Sequence, residues 1–272
     1  MSIFHAIVLG LVQGFTEFLP ISSSAHLTLV PWFFGWPDPG LAFDVFLHWG
    51  TLIAVLGYFA GDWLRLLRAG LVSILERKVG FERDRRMFWM LVFGSVPAGL
   101  AGYLLHDAVS GALRAPLIIA MSLAFVGFLM YWIDGRYPPY RGIHDVNMKD
   151  ALMIGLAQAC ALIPGVSRSG ATMTMGRYLG LNREAAARFS FLLSFPIILA
   201  AGVFETRGLL ESGALQFTSG YLIAGFLASL LSGVLSIHVL LAYLRSADFA
   251  LFAWYRIGLA VCVVLFSLYT GR

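Results

Sequence analysis

The chain has 272 residues, 59% of them hydrophobic and only 12% charged, with a formal net charge of +4. A soluble domain carries about 25% charged residues, so this composition excludes an ordinary soluble globule and predicts an all-α, polytopic integral membrane protein in one membrane domain, 1–272. The positive balance does not argue for nucleic acid, because seven of the 19 Lys and Arg fall between Asp62 and Met87, where the flank of a membrane segment would have them.

The first apolar stretch, about 3–34, contains Gln13, Glu17, Pro20 and the run Ser22-Ser23-Ser24-Ala25-His26. It has no basic leader and no clean cleavage site, so it is expected to stay in the mature protein. Proline removes a helical hydrogen bond and restricts the residue before it, and serine is a preferred N-cap. The stretch therefore reads as a broken, re-entrant helical hairpin. A span needs about 20 apolar residues, and 41–60 supplies the first. The basic loop 61–87 follows, then spans 88–106 and 116–133, the loop 134–149 with Arg136, Arg141 and Lys149, and a second broken hairpin at 150–182 around Pro164. Spans 185–205, 219–243 and 251–270 complete six. Cys160 and Cys262 have no ligand spacing and read as structural.

A shift of 145 residues brings Gln13 onto Gln158, Ser22 onto Ser167 and Ser24 onto Ser169, with the same nine-residue gap from glutamine to serine. The expectation is a duplicated chain, 1–133 and 148–272, each half a hairpin plus three spans. An odd number of spans inverts the second half. The basic loops 61–87 and 134–149 then share the cytoplasmic side, while the loops 107–115 and 206–218, with only Arg114 and Arg207, face outward with both termini. Broken helices of inverted repeats meet near the midplane around the functional site.

A charged side chain at mid-bilayer costs roughly 2.5–3.5 kcal/mol and marks a functional candidate. Gln13 and Glu17, one turn apart, share a helix face. Glu17 can hold a metal ion, accept a proton or orient a nucleophile, or it can be one half of a structural ion pair with Arg168. Ser22, Ser23 and Ser24 can cap the next helix, bind an anion or supply a nucleophile. His26, three residues after Ser23, can serve as base, nucleophile or acid. The segment Pro164-Gly165-Val166-Ser167-Arg168-Ser169-Gly170 combines close backbone approach, a helix N-terminus and a guanidinium fork, an anion cradle that suits phosphate. It lacks the Walker spacing. Asp44, His48 and Arg256 are weaker candidates. The same features fit a flippase or transporter as an alternative function.

The two clusters resemble those of the undecaprenyl-pyrophosphate phosphatase, or bacitracin-resistance, family. Its motif (E/Q)-x-x-x-E followed by L-P-[IV]-S-S-[ST]-[AG]-H stands here as Gln13 to Glu17 and Leu19 to His26. Its motif P-G-x-S-R-S-G-[AS]-T stands as Pro164 to Thr172, and the likeness covers essentially the full chain. It implies a phosphatase of the bacterial cytoplasmic membrane with an outward-facing site, acting on a polyprenyl diphosphate lipid and dependent on Mg2+ or Ca2+ held partly by Glu17. By carry-over, Glu17, Ser23, His26 and Arg168 are the expected catalytic residues, Ser23 as nucleophile with His26 handling the proton. Ser167 and Ser169 are expected to bind phosphate, and Gln13, Ser22, Ser24, Gly170 and Thr172 complete the expected substrate-binding set. Gln13 stands where many members have glutamate, which leaves only an amide oxygen as a ligand. The partners are then the lipid substrate and the membrane, with no nucleic acid, and the glycine-rich spans allow a homodimer without specifying one.

Overall fold

The computed structural model describes residues 2–109, 115–211 and 220–271, and their regular structure is helical. In chain order the helices are α1 (Ile3–Phe18), α2 (Ser23–Phe34), α3 (Leu41–Tyr58), α4 (Ala60–Leu75), α5 (Arg83–Val109), α6 (Pro116–Arg136), α7 (Met148–Ala159), α8 (Arg168–Tyr178), α9 (Arg183–Glu211), α10 (Gly220–Tyr243) and α11 (Ala250–Thr270). Among the described residues, six helices are long and apolar enough to cross a membrane: α3, α5, α6, α9, α10 and α11. They coincide with the six spans expected from the sequence, and the chain is an all-α, multi-pass membrane protein.

The remaining paired helices are short. α1, α2, α7 and α8 have 16, 12, 12 and 11 residues. At about 1.5 Å per residue none reaches across a hydrocarbon core of about 30 Å. α1 and α2 are separated by the turn 19–22, and α7 and α8 by a 3-10 turn (Cys160–Leu162) and the segment 163–167. Ser22 and Ser167 cap α2 and α8 from the left-handed region, at φ 78° and 72°. That conformation costs a residue with a Cβ about 1–3 kcal/mol and persists where the surroundings enforce it. Each serine hydroxyl accepts the amide three residues on, Ala25 at 3.3 Å and Gly170 at 3.1 Å.

In lipid, helices have no hydrophobic drive to associate, so small residues that let backbones approach decide the contacts. α1 lies on α10, with Gly14 against Ser229, Ser232 and Gly233, and α7 lies on α5, with Gly155 against the Gly94 backbone. Each hairpin therefore packs on a spanning helix from the other half of the chain. Beneath the hairpin turns, Phe18 meets Phe191 edge-on, with centroids 5.5 Å apart.

The segment 61–87 is not a loop, as the sequence reading expected, but α4 followed by the start of α5. Trp63, Leu66, Gly70 and Ser73 form its buried stripe, while Leu64, Leu67, Leu71 and Leu75 are exposed beside Arg65 and Arg68. A mixed leucine and arginine surface of this kind suits a membrane interface. Residues 206–211 likewise continue α9, and Arg207 pairs with Glu211 there at 2.7 Å. Residues 107–109 end α5, and 110–114 with Arg114 and 212–218, from the two expected outward loops, lie outside the described residues. The expected loop 134–149 shrinks to 137–147, with Arg136 ending α6 and Lys149 in α7, and it is pinned: Arg141 binds Asp150 and the Leu179 carbonyl (2.9 Å), and the hydrogen bond to Asp150 holds its guanidinium above the usual range.

Candidate active site

Helix α1 turns Gln13 and Glu17 inward, where both are buried. Glu17 sits one residue before the helix ends at Phe18, so its carboxylate reaches the turn that starts α2. Its Oε2 accepts the Ser23 hydroxyl at 2.7 Å and the Gln13 amide at 3.2 Å. Its Oε1 accepts Arg168 Nη2 at 2.8 Å. Ser23 and Arg168 are the first residues of α2 and α8. An acid from one hairpin thus meets a guanidinium from the other, with two helix N-termini converging on the same spot. A buried ion pair is held by geometry rather than by net Coulomb gain, and removing either partner strands the other charge. Arg168 also donates to the Ser190 carbonyl at 3.2 Å, while its Nε is buried without a partner. A phosphate oxygen is the kind of acceptor that would satisfy it.

His48, on α3, points Nε2 at Glu17 from 3.8 Å. Its Nδ1 faces the Asp44 carbonyl at 2.8 Å, and a carbonyl only accepts, so Nδ1 is the donor in that bond. Of the weaker candidates, His48 therefore reaches the site, with Asp44 one turn behind it.

His26 is not bonded to Ser23. Its Nδ1 donates to the Ser22 carbonyl at 2.7 Å, and its Nε2 pairs with the Tyr255 hydroxyl at 2.7 Å. The rings of His26 and Tyr255 are nearly parallel, 5.7 Å apart. The expected Ser23–His26 proton relay is absent in this geometry, since the group that takes the Ser23 hydrogen is Glu17. Spacing i, i+3 puts Ser23 and His26 on one face of α2, but each bonds elsewhere: Ser23 to the carboxylate of α1, and His26 to the Ser22 carbonyl and the Tyr255 hydroxyl.

The other expected site residues shape the two turns. Ser22 and Ser24 share a hydroxyl contact at 3.2 Å, and Ser167 and Ser169 share one at 3.1 Å. Ser24 is exposed, whereas Ser169 is fully buried and donates to the Leu19 carbonyl at 3.0 Å, tying the second turn to the first. Thr172 is also buried, bonded to the Arg168 carbonyl (2.8 Å) and to Ser190 (2.6 Å). Gly170 packs against Arg256, whose Nη1 would stand 2.8 Å from any added Cβ.

Arg256, the last of the weaker candidates, holds the two turns together. It is fully buried, and its guanidinium donates to the carbonyls of Pro20 (3.0 Å), Gly165 (2.7 Å), Val166 (2.9 Å) and Leu123 (3.3 Å). One side chain from α11 thereby clamps both hairpin turns. Tyr255 and Ser190 were not singled out by the sequence reading. Tyr255 directly precedes Arg256, and that arginine inside a span was the available signal for it; Ser190 is reached only through its bonds to Arg168 and Thr172.

Among the described residues, no group of three or more His, Cys, Asp or Glu stands ready to hold a metal. The buried Gln13 Oε1 has no hydrogen-bond partner and lies beside Glu17. One carboxylate and one amide oxygen suit a hard cation that keeps water and takes its other ligands from a phosphate substrate, as Mg2+ does.

The sequence profile described as Bacitracin resistance protein BacA matches residues 6–262. The chain is 49% identical over 266 residues to an undecaprenyl-diphosphatase of Pelotomaculum thermopropionicum, covering 97% of each chain. It is 48% identical over 265 residues to one of Moorella thermoacetica, again covering 97% of each. It is 46% identical over 271 residues to one of Desulforudis audaxviator, covering 100% of each.

Proposed function

The chain belongs to the bacitracin resistance protein BacA family, and from that premise we propose that it is an undecaprenyl-diphosphatase. It hydrolyses the diphosphate of a polyprenyl lipid to the monophosphate and inorganic phosphate, recycling the carrier for cell-wall synthesis and conferring bacitracin resistance. The observation that carries the catalytic assignment is the junction of Glu17, Ser23 and Arg168, bonded at 2.7 and 2.8 Å across two half-membrane hairpins.

Phosphoryl transfer depends on positioning and charge stabilisation. The terminal phosphate docks on the free Nε edge of Arg168, and the N-terminal amides and dipoles of α2 and α8 face the same charge. Ser23 Oγ attacks the terminal phosphorus as its hydrogen passes to Glu17 Oε2. The bond from phosphorus to the bridging oxygen breaks, and polyprenyl phosphate departs with the electron pair and the proton. Water then attacks the phosphoserine, giving a proton through Glu17 to Ser23 Oγ as phosphate leaves. His26, held by Ser22 and Tyr255, borders this chemistry without taking the Ser23 proton. Glu17 and Gln13 would hold a Mg2+ or Ca2+ ion together with substrate oxygens, where it would neutralise phosphate charge.

The basic residues around α4 and the start of α5 support a cytoplasmic placement of that end, with the termini and the mouth of the site facing outward from the bacterial cytoplasmic membrane. The matched caps at Ser22 and Ser167, and the crossing of each hairpin onto the other half, support duplication into inverted halves 1–133 and 148–272.

Purified protein in detergent, given polyprenyl diphosphate, is expected to release one phosphate per lipid, and rapid quenching should trap label on Ser23. Turnover retained by Arg168→Ala would refute the cradle. A wild-type protein that releases no phosphate would favour a flippase.

A further inference from the structure

A groove of about 520 Å³ lies between α1 and the start of α11, within the usual range of ligand pockets, about 300–1,000 Å³. Leu11, Phe15, Leu19, Ile21, Leu251 and Phe252 line it, and His26 and Tyr255 belong to the same wall. Leu11, Phe15 and Leu251 are 40%, 37% and 60% exposed, so the groove opens to lipid. Thr16 also reaches it, but its hydroxyl turns back to the Val12 carbonyl at 2.7 Å. The polar groups the groove offers are therefore those of the His26–Tyr255 pair. It is an apolar channel with one polar end, the complement of a chain attached to a charged head.

The position of α1 gives the groove its meaning. Leu11, Phe15 and Leu19 recur every four residues on one face, and Gln13 and Glu17 lie two positions out of step, on the opposite face. One helix thus divides a catalytic side from a lipid side. The turn 19–22 at its end adjoins both sides: Ile21 lines the groove, and the next residue, Ser22, holds His26 and directly precedes Ser23. A second apolar groove of about 390 Å³, between α4, α5 and α9, has none of the site residues in its wall.

We infer that the groove between α1 and α11 binds the isoprenoid chain of the substrate, seating the units next to the diphosphate, with Tyr255 marking the boundary between chain and head. The inference rests on the phosphatase reading, which it deepens by giving the lipid tail a place. The groove holds a few units, and the distal chain continues into the bilayer.

Two experiments test it. In the first, a full-length polyprenyl diphosphate analogue carrying a photoreactive group in its first isoprene units is irradiated with the wild-type protein in detergent. Label is expected on peptides covering 8–21 and 251–255, and label confined to α4, α5 and α9 would overturn the proposal. In the second, Leu11→Trp and Leu251→Trp fill the groove. Each is expected to raise KM for the long-chain substrate about tenfold, the scale of a steric change in an apolar pocket, with kcat at saturating substrate nearly unchanged. Unchanged KM for the long chain, or a loss confined to kcat, would overturn it. Photolabelling of the groove by a wild-type protein that releases no phosphate would instead defeat the phosphatase reading and leave the chain site standing.

Discussion

The two hairpin turns share a backbone and differ in cargo. Ser22 and Ser167 both cap from φ near 75°, at 78° and 72°, and each touches the serine two residues on, at 3.2 and 3.1 Å. The first turn carries Ser23 and lies under Glu17, whereas at the matching places the second carries Arg168 and Leu162. Gln13 bonds to Glu17, but the buried amide of its counterpart Gln158 has no hydrogen-bond partner among the described residues. The two turns thus present two helix N-termini to one point, one with a hydroxyl beside a carboxylate and the other with a guanidinium, which in the proposed mechanism are the nucleophile, the acid and the cation. The halves are alike in geometry and not interchangeable in chemistry.

Substitutions at matched positions should expose that asymmetry. Ser23→Ala is expected to lower kcat by on the order of 10⁵, the scale for loss of a nucleophile, while Ser167→Ala should lose only a cap worth about 1 kcal/mol. Phosphate release and thermal unfolding, measured on both variants, separate the two outcomes. Similar activity losses would mean that the turns play equivalent parts. Next in size, Arg168→Ala should reduce kcat/KM by about 10³ or more, and Arg168→Lys should restore only part, because an ammonium cannot reproduce the fork.

Arg256→Met should act on both turns together. It leaves carbonyls of Pro20, Gly165 and Val166 without their donor, and each unsatisfied buried group costs about 1–3 kcal/mol. A lowered unfolding temperature in detergent is the expected reading, partly recovered in Arg256→Lys. An unchanged transition would remove Arg256 as the clamp. The smallest effect concerns the glutamines. Gln158→Leu should stabilise the protein by about 1 kcal/mol with activity unchanged, since it removes an unpaired buried amide. Gln13→Leu should weaken the response of activity to added Mg2+, and equal responses in the two variants would deny Gln13 its place as a ligand.

Much of this architecture was legible in the sequence because it is local. Proline followed by serine broke both hairpins, and apolar runs of about 20 residues set the spans. The amphipathic α4 was hidden by its own charges. Arg65, Arg68 and their neighbours read as a loop, although Trp63, Leu66, Gly70 and Ser73 keep a helical period. In the site, the pairing of Glu17 with Arg168 could be anticipated because two lone charges in lipid need partners. The bond from Ser23 to Glu17 could not, since spacing along α2 favoured His26 and the decisive carboxylate arrives from another helix. Arg256 was noticed but its partners were not, because backbone carbonyls leave no mark in the sequence. Tyr255 meets His26 across 229 residues of chain, a contact with no local pattern to mark it.

In the proposed mechanism an acid of the first hairpin and a guanidinium of the second work as one unit. A double-mutant cycle on kcat/KM with Glu17→Gln and Arg168→Gln tests it most directly, because residues that act as a unit are strongly non-additive. The double variant is expected to be scarcely worse than the poorer single one. Losses that simply multiply would show that the two groups act independently, and would contradict the account.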